Sequence, residues 1–415
     1  MSCGIVCVLA SASSAAAAGE LTLERAVGLA MERNERARIA DEDAAVAEAQ
    51  VARARAFFFP DLTASGSYVL RRDPGMFQDR SVLTGSLAAS LTLFDGRGFP
   101  LLSAAKLDRE AARLDRSEVR RQLAVEAATA YLVTLGAQAV VDAARHRVEF
   151  ARASMRDARG RVEAQLTSSN DATRARLELS TAQLALRRAE GDLAAARLHL
   201  GWLIGLDLEG PLREPRALFA AATDAAPASA GARLDVRAAR KRVEAAYQLA
   251  REPLWRWVPT LSVTGQADTS SIEDVTGKRT DWFVALNAVW ALWDGGERSA
   301  DRAERLARAR AGQLGVEQQV RRVGLEDQTA RVALDTARAT AAEAGETVAA
   351  SRANVEEARI LYNQGLARAI EVADASARLF DAEVALARER YALGQAVVDM
   401  RAARGEGPIG PVRQR

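Results

Sequence analysis

The residues that most often carry covalent or proton-transfer chemistry are scarce in this chain, and none stands beside a partner. There are two histidines, His146 and His199, and two cysteines, Cys3 and Cys7. Each histidine lies alone on a helical stretch, where an imidazole is a surface or packing group rather than a ligand. Both cysteines fall in the first ten residues, which excludes a disulfide framework or cysteine metal site over the rest of the chain. No phosphate-cradling glycine loop, dinucleotide fingerprint or zinc spacing is present. The many Glu/Arg pairs at helical spacing read as solvated faces. Nothing here builds a catalytic centre or calls for a cofactor, so the expectation is a protein that is not an enzyme.

The elements behind these residues are mostly helical. The 57 basic residues against 55 acidic ones leave a net charge of +2, without the basic bias of a nucleic-acid binder. Aromatic residues make up only 5 %, low for a large compact core, while Ala and Leu dominate as in coiled coils. No run of 18 uncharged apolar residues follows the first 20 positions, so no helical membrane span is expected there. Residues 1–18 are apolar, then small, and end in Ala-x-Ala before Gly19, as at the end of a secretory signal peptide; the basic residues that usually open one are missing.

The chain repeats itself. Pro60-Asp-Leu62 recurs as Pro259-Thr-Leu261, and Leu93-Phe94-Asp95-Gly96 as Leu292-Trp293-Asp294-Gly295, both at a shift of 199. Glu126-x-x-Thr129-Ala130 recurs as Glu326-x-x-Thr329-Ala330, and Gly205 as Gly405, at a shift of 200. Two non-helical motifs at one offset are not explained by chance likeness between Ala/Arg-rich helices. A tandem duplication follows: a first unit over 19–205, a linker over 206–231, a second unit over 232–405, and a flexible tail over 406–415.

Within each unit the hydrophobic period changes. Strict alternation over about 60–70 and 83–94, and again over about 259–268 and 282–293, predicts strands. Leu87, Leu91, Leu286 and Trp290 fall on the face expected toward lipid; Ser86, Ser90 and Asn287 fall on the face expected toward water. Strands of this length can cross a bilayer when tilted. Phe57, Phe58, Phe59, Phe94, Trp255, Trp257 and Trp293 cluster at the strand ends, where an interfacial aromatic girdle would lie. Four strands cannot close a membrane barrel, and an open edge is not tolerated in lipid, so several chains must pool their strands. Helices are expected over about 98–165 and 171–205, then 296–362 and 371–404. The seams Ala175-Leu179-Ala182-Leu186-Ala189-Leu193-Ala196-Leu200-Leu203 and Ala375-Leu379-Ala382-Leu386-Glu389-Leu393-Ala396-Met400-Ala403 keep coiled-coil spacing.

These residues resemble the TolC-like outer-membrane factor family. The likeness rests on Leu21-Thr-Leu-x-x-Ala26-x-x-x-Ala30-x-x-x-Asn34, the Pro-x-Leu strand entries, the two Leu-aromatic-Asp-Gly exits, and Tyr362-Asn-Gln-Gly365-Leu-x-x-x-x-Glu371-Val-x-Asp374-Ala375. Glu35 stands where the family usually has Pro, and Gln165 where the first helical turn usually has Gly. The resemblance implies a mainly α chain with a membrane β-barrel contribution. A homotrimer would complete a 12-stranded barrel in outer-membrane lipid, with a helical tunnel in the periplasm. A periplasmic adaptor protein and an inner-membrane transporter would dock at its tip. It also implies a channel gate: Glu371 and Asp374 lining the entrance, with Asp171 as their first-unit counterpart and the expected partner of Tyr362 and Arg368. The competing reading is a periplasmic adaptor or structural coiled-coil protein, which would carry one helical hairpin rather than two units with strand pairs.

Overall fold

Each unit has helices that lead into its strands, and those of the first unit are capped. The Thr22 hydroxyl accepts the Arg25 N–H at 3.3 Å and opens α1 (Leu23–Arg33); Asn34 ends α1 and caps α2 (Glu35–Ala56) by accepting the Arg36 N–H at 3.0 Å. The second unit has α6 (Leu234–Leu249) and the single turn α7 (Glu252–Trp255) in the corresponding place. This computed structural model describes residues 20–73, 80–165, 167–208, 210–220, 233–273 and 277–409. The leader expected at 1–18 with both cysteines, Pro74 and Gly75 of the first hairpin loop, the linker part 221–231 and the end of the tail lie outside them.

The four strands are β1 (Asp61–Leu70), β2 (Ser81–Phe94), β3 (Thr260–Ser270) and β4 (Thr280–Val289), in one antiparallel sheet of order β1-β2-β3-β4. Pro60 and Pro259, which lack the ladder donor, stand just outside β1 and β3 at the same end of the sheet. The sheet is sheared. Asp61 pairs with Ser90, Ser90 with Thr264, and Thr264 with Ala285. Thr264 lies four positions past Thr260, the repeat mate of Asp61, and Ala285 lies four before Val289, the mate of Ser90. Such a stagger is what tilted barrel strands require. The fourth strand is shorter than expected: it stops at Val289, leaving 290–293 beyond the ladder.

The long helices are α3 (Gly98–Glu163) and α4 (Ser169–Ile204) in the first unit, then α8 (Glu297–Asn363) and α9 (Ala369–Ala403) in the second. At 66 residues α3 spans about 100 Å. Every residue of the two expected seams is buried or half-buried, so α4 packs along α3 and α9 along α8, with α3 joining the two hairpins. One 18-residue stretch of α3 reaches a mean hydropathy of 1.4, but half of it is buried inside the helical core.

The largest core lies where the hairpins meet α1: Leu23, Leu29, Tyr131, Leu132, Leu200, Leu203, Val397 and Met400 are among its members. The duplication is visible in its hydrogen bonds. Asn34 donates to the Leu203 carbonyl at 3.1 Å, and Arg233, its repeat mate, donates to the Ala403 carbonyl at 3.1 Å. Each satisfies an orphan acceptor at a helix C-terminus, just before a left-handed glycine, Gly205 or Gly405. Part of the linker is packed against the rest of the chain. Leu21 bridges Leu212 in parallel, and the Tyr131 hydroxyl reaches the carbonyls of Leu21 and Arg213, both at 2.6 Å. The short helix α5 (Arg216–Ala220) sets Phe219 edge-on to Tyr391, centroids 6.2 Å apart. The start of the tail is also packed: Gly407 and Pro408 are buried, and Arg401 donates to the Pro408 carbonyl at 2.5 Å.

Candidate functional site

Two regions carry the functional expectations: the helical tip and the sheet with its collar. At the tip, α3 turns into α4 through Gln165, the one described non-glycine residue with positive φ (59°); its repeat mate Gly365 has φ 76°. The first turn therefore keeps the geometry of the second without the glycine that would make it free of strain. Ser168 caps α4 by accepting the Asn170 N–H at 3.2 Å.

Arg161, on the last turn of α3, joins the two hairpins here. It donates to the Tyr362 carbonyl and to Asn363 Oδ1, both at 3.3 Å, and its guanidinium lies 4.3 Å from the centre of the Tyr362 ring. Asp157 holds it from below at 3.2 Å. Burial pushes the Tyr362 phenol up; Arg161 opposes that, while Asp157 and Asp171 add to it. The direct partner of Tyr362 within the chain is Arg161. Sequence reasoning missed this residue because its repeat mate is Leu361 and the charge has no counterpart to flag it. Within the chain, no ion pair joins Asp171 to Arg368. Asp171 instead accepts the Thr167 hydroxyl. Arg368 begins α9, and its backbone N–H reaches Glu371 Oε1 at 3.4 Å. Glu371 remains exposed, and Asp374 pairs with Arg378 at 2.9 Å. Behind Tyr362 lies a cavity of about 370 Å³ bordered by Phe150, Asp157, Glu178 and Arg359.

The sheet separates its chemistry by face. Ser65 and Ser86 meet at 2.7 Å and Ser67 and Thr84 at 2.8 Å, while Asn287 donates to the Thr264 hydroxyl at 3.0 Å. Ser86, Ser90 and Asn287 share that polar face. Leu87 and Leu286 occupy the other, with Leu62, Tyr68, Leu91 and Val263, by the pairing register. Trp290 follows β4 and sends its indole N–H to the Trp257 carbonyl at 3.0 Å.

An aromatic collar closes the inner end of the sheet. Phe57, Phe58, Phe99 and Trp255 form a chain with centroid spacings of 5.5, 5.5 and 5.9 Å. The exit of β2 into α3 fits under it only because Gly96 and Gly98 are glycine: a Cβ on Gly96 would come within 2.1 Å of Trp255, and one on Gly98 within 2.5 Å of Phe58. Arg298 stacks on Trp257 at 3.8 Å. Burial alone would raise Asp95, but the hydrogen bonds and charge of Arg97 hold its carboxyl below the usual range. Asp294 is lowered likewise, desolvation being outweighed by the N–H groups of Arg298 and Gly296 and the Arg298 side chain. Phe59 and Trp293 are exposed; Phe94 ends β2, and Trp293 stands beyond the end of β4.

A sheet with an apolar and a polar face, mounted on two long coiled-coil hairpins, defines one stave of a barrel-and-tunnel channel. The sequence matches the outer membrane efflux protein family over residues 26–206 and 228–406, and the chain belongs to that family. The fold is that of solved channels. It aligns with CusC at TM-score 0.81 and 20 % identity, covering 93 % of this chain and 92 % of that one. With the MtrE outer membrane channel of Neisseria gonorrhoeae, in its open state, the TM-score is 0.78 at 19 % identity over 95 % of this chain and 91 % of that one. The CmeC outer membrane channel of Campylobacter jejuni gives 0.76 at 18 % identity over 95 % and 87 %. Protein CyaE of Bordetella pertussis is 32 % identical over 168 residues; that stretch is 40 % of this chain and spans 35 % of the length of CyaE.

Proposed function

We propose that three copies of this chain form the passive exit duct of a tripartite efflux pump or type I secretion system. Their strands would complete a 12-stranded barrel in the outer membrane, and their helices a periplasmic tunnel. An adaptor protein and an inner-membrane transporter would engage its tip, where Tyr362, Arg368, Asp171, Glu371 and Asp374, together with Arg161, would form the gate. One observation carries this reading. Leu91, Thr92 and Phe94 of β2 extend past β1 and pair only with β3. Their repeat mates Trp290, Ala291 and Trp293 have the same overhang but no next strand within the chain. In lipid the unpaired edges of β1 and β4 would cost several kcal/mol per unsatisfied group, and a neighbouring chain satisfies both.

The test is to extract the protein with detergent, isolate the oligomer and insert it into planar bilayers. The reading predicts a heat-resistant trimer with discrete conductance steps. A water-soluble monomer that leaves the bilayer silent would contradict it.

A further inference from the structure

The collar beneath the sheet carries a charge imbalance that its internal contacts do not use. Most of its carboxylates are taken by arginines. Asp95 is held by Arg97 and Asp294 by Arg298. Glu252 and Asp301 are shared by Arg256 and Arg305. Glu48 is shared by Arg109 and Arg113. Four further arginines, Arg53, Arg55, Arg251 and Arg302, are exposed and have no side-chain partner among the described residues. Glu297 at the start of α8 and Asp61 at the start of β1 are exposed and offset two of them.

Their heights are set by the helices. Arg55 and Arg53 sit in the last turn of α2, two and four residues before Phe57. Arg251 precedes Trp255 by one turn, and Arg302 is in the second turn of α8. At about 1.5 Å per residue all lie within roughly 10 Å of the strand ends. Directly above them the surface is apolar: Phe59, Leu254, Trp257, Val258 and Trp293 are all more than a third exposed. The Phe58–Phe99–Trp255 contacts tie these segments of both units into one band.

Aromatic rings above and unpaired guanidinium groups just below match the boundary between acyl chains and phosphate headgroups. We propose that this collar is a docking surface for anionic phospholipid, with Arg53, Arg55, Arg251 and Arg302 facing the headgroup phosphates of the leaflet nearer the helices. Arginine suits the role because its planar fork binds phosphate oxygens in pairs. The collar would fix the height of the barrel in the bilayer, rather than leaving it to the apolar band alone. This proposal rests on the outer-membrane reading.

The test compares the full chain with an Arg53→Gln/Arg55→Gln/Arg251→Gln variant. A control variant, Arg152→Gln/Arg188→Gln/Arg322→Gln, removes the same charge from exposed, unpaired positions on the helical shaft. Each is reconstituted into phosphatidylethanolamine vesicles with and without phosphatidylglycerol, and lipid retained by the purified oligomer is counted by native mass spectrometry. The wild type and the control should retain phosphatidylglycerol over phosphatidylethanolamine by several-fold, and the collar variant should lose most of that preference. Conductance should be equal in both vesicle types. Equal retention of the two lipids by the wild type, or an unchanged preference in the collar variant, would overturn the collar while leaving the channel intact. Failure of the wild type to insert into either vesicle would instead strike the channel reading.

Discussion

At the residue scale, the tip depends on a side chain that pattern reading does not reveal. Arg161 touches Tyr362 through its carbonyl and through its ring, and reaches Asn363 as well. Hydrogen bonds from a charged donor contribute about 1.5–3 kcal/mol each and an exposed cation–π contact about 0.5–1. Three copies would give the closed tip a summed hold that no single pair provides. Arg161→Ala should therefore raise single-channel conductance severalfold, with Arg161→Lys intermediate because lysine keeps the charge but loses the fork. Wild-type conductance in Arg161→Ala would remove this residue from the gate. Glu371 and Asp374 were legible as carboxylates near the second turn, but their neighbours were not. The Asp374–Arg378 pair is ordinary helical spacing, and the Arg161–Tyr362 contact joins residues 201 positions apart. The sequence did flag Gln165 as an oddity, and its positive φ explains why glycine would be the easier residue there.

At the scale of elements, strands and seams were readable because period two and heptad spacing are local properties. Strand ends were not, since a ladder ends where its partner ends. The stop of β4 at Val289 reflects the start of its partner β3 at Thr260 and the lack of a next strand on its other side, not a change in residue type. The packing of the linker was not legible for the same reason: Leu212 and Phe219 meet Leu21 and Tyr391, which are far away in sequence. The face assignment is open to direct test. A Leu91→Arg substitution puts a charge on the apolar face, at a cost of about 2–4 kcal/mol in mid-bilayer; Ser90→Arg puts it on the polar face. Heat-resistant oligomer in membranes should fall for the first and persist for the second. Equal yields would mean that the sheet does not enter lipid, and the opposite order that the faces are reversed.

A second element carries a pH signature. At the start of α6, burial would raise Asp235, but Arg233, Gln319 and the Val236 N–H outweigh it and hold its carboxyl below the usual range. A depressed carboxylate stabilises the fold above its unfolded pKa of about 4 and loses that contribution as pH falls through the lower folded value. Asp235→Asn should thus lower the melting temperature at neutral pH and bring the two proteins closer as the solution is acidified below about pH 4. A difference in melting temperature that does not change with pH would assign the effect to shape rather than charge.

At the scale of the whole molecule, the duplication predicts how one chain meets the next. Leu87 of β2 pairs with Ala267 of β3. Their repeat mates at a shift of 199 are Leu286 of β4 and Tyr68 of β1, and in a closed barrel these must face each other across the boundary between neighbouring chains. Within one chain they are three strand spacings apart, and the stagger sets Leu286 level with Pro60 rather than with Tyr68, so their separation exceeds about 14 Å and is too far for a disulfide. Leu286→Cys/Tyr68→Cys, made in a Cys3→Ser/Cys7→Ser background, is therefore the decisive protein. Mild oxidation in membranes should convert it to covalent trimers that run as monomers after reduction. Leu286→Cys/Ala64→Cys, four residues out of register on the same face, should cross-link poorly. Monomers throughout, or efficient trimers only from the out-of-register pair, would contradict closure of a 12-stranded barrel by three copies of this chain.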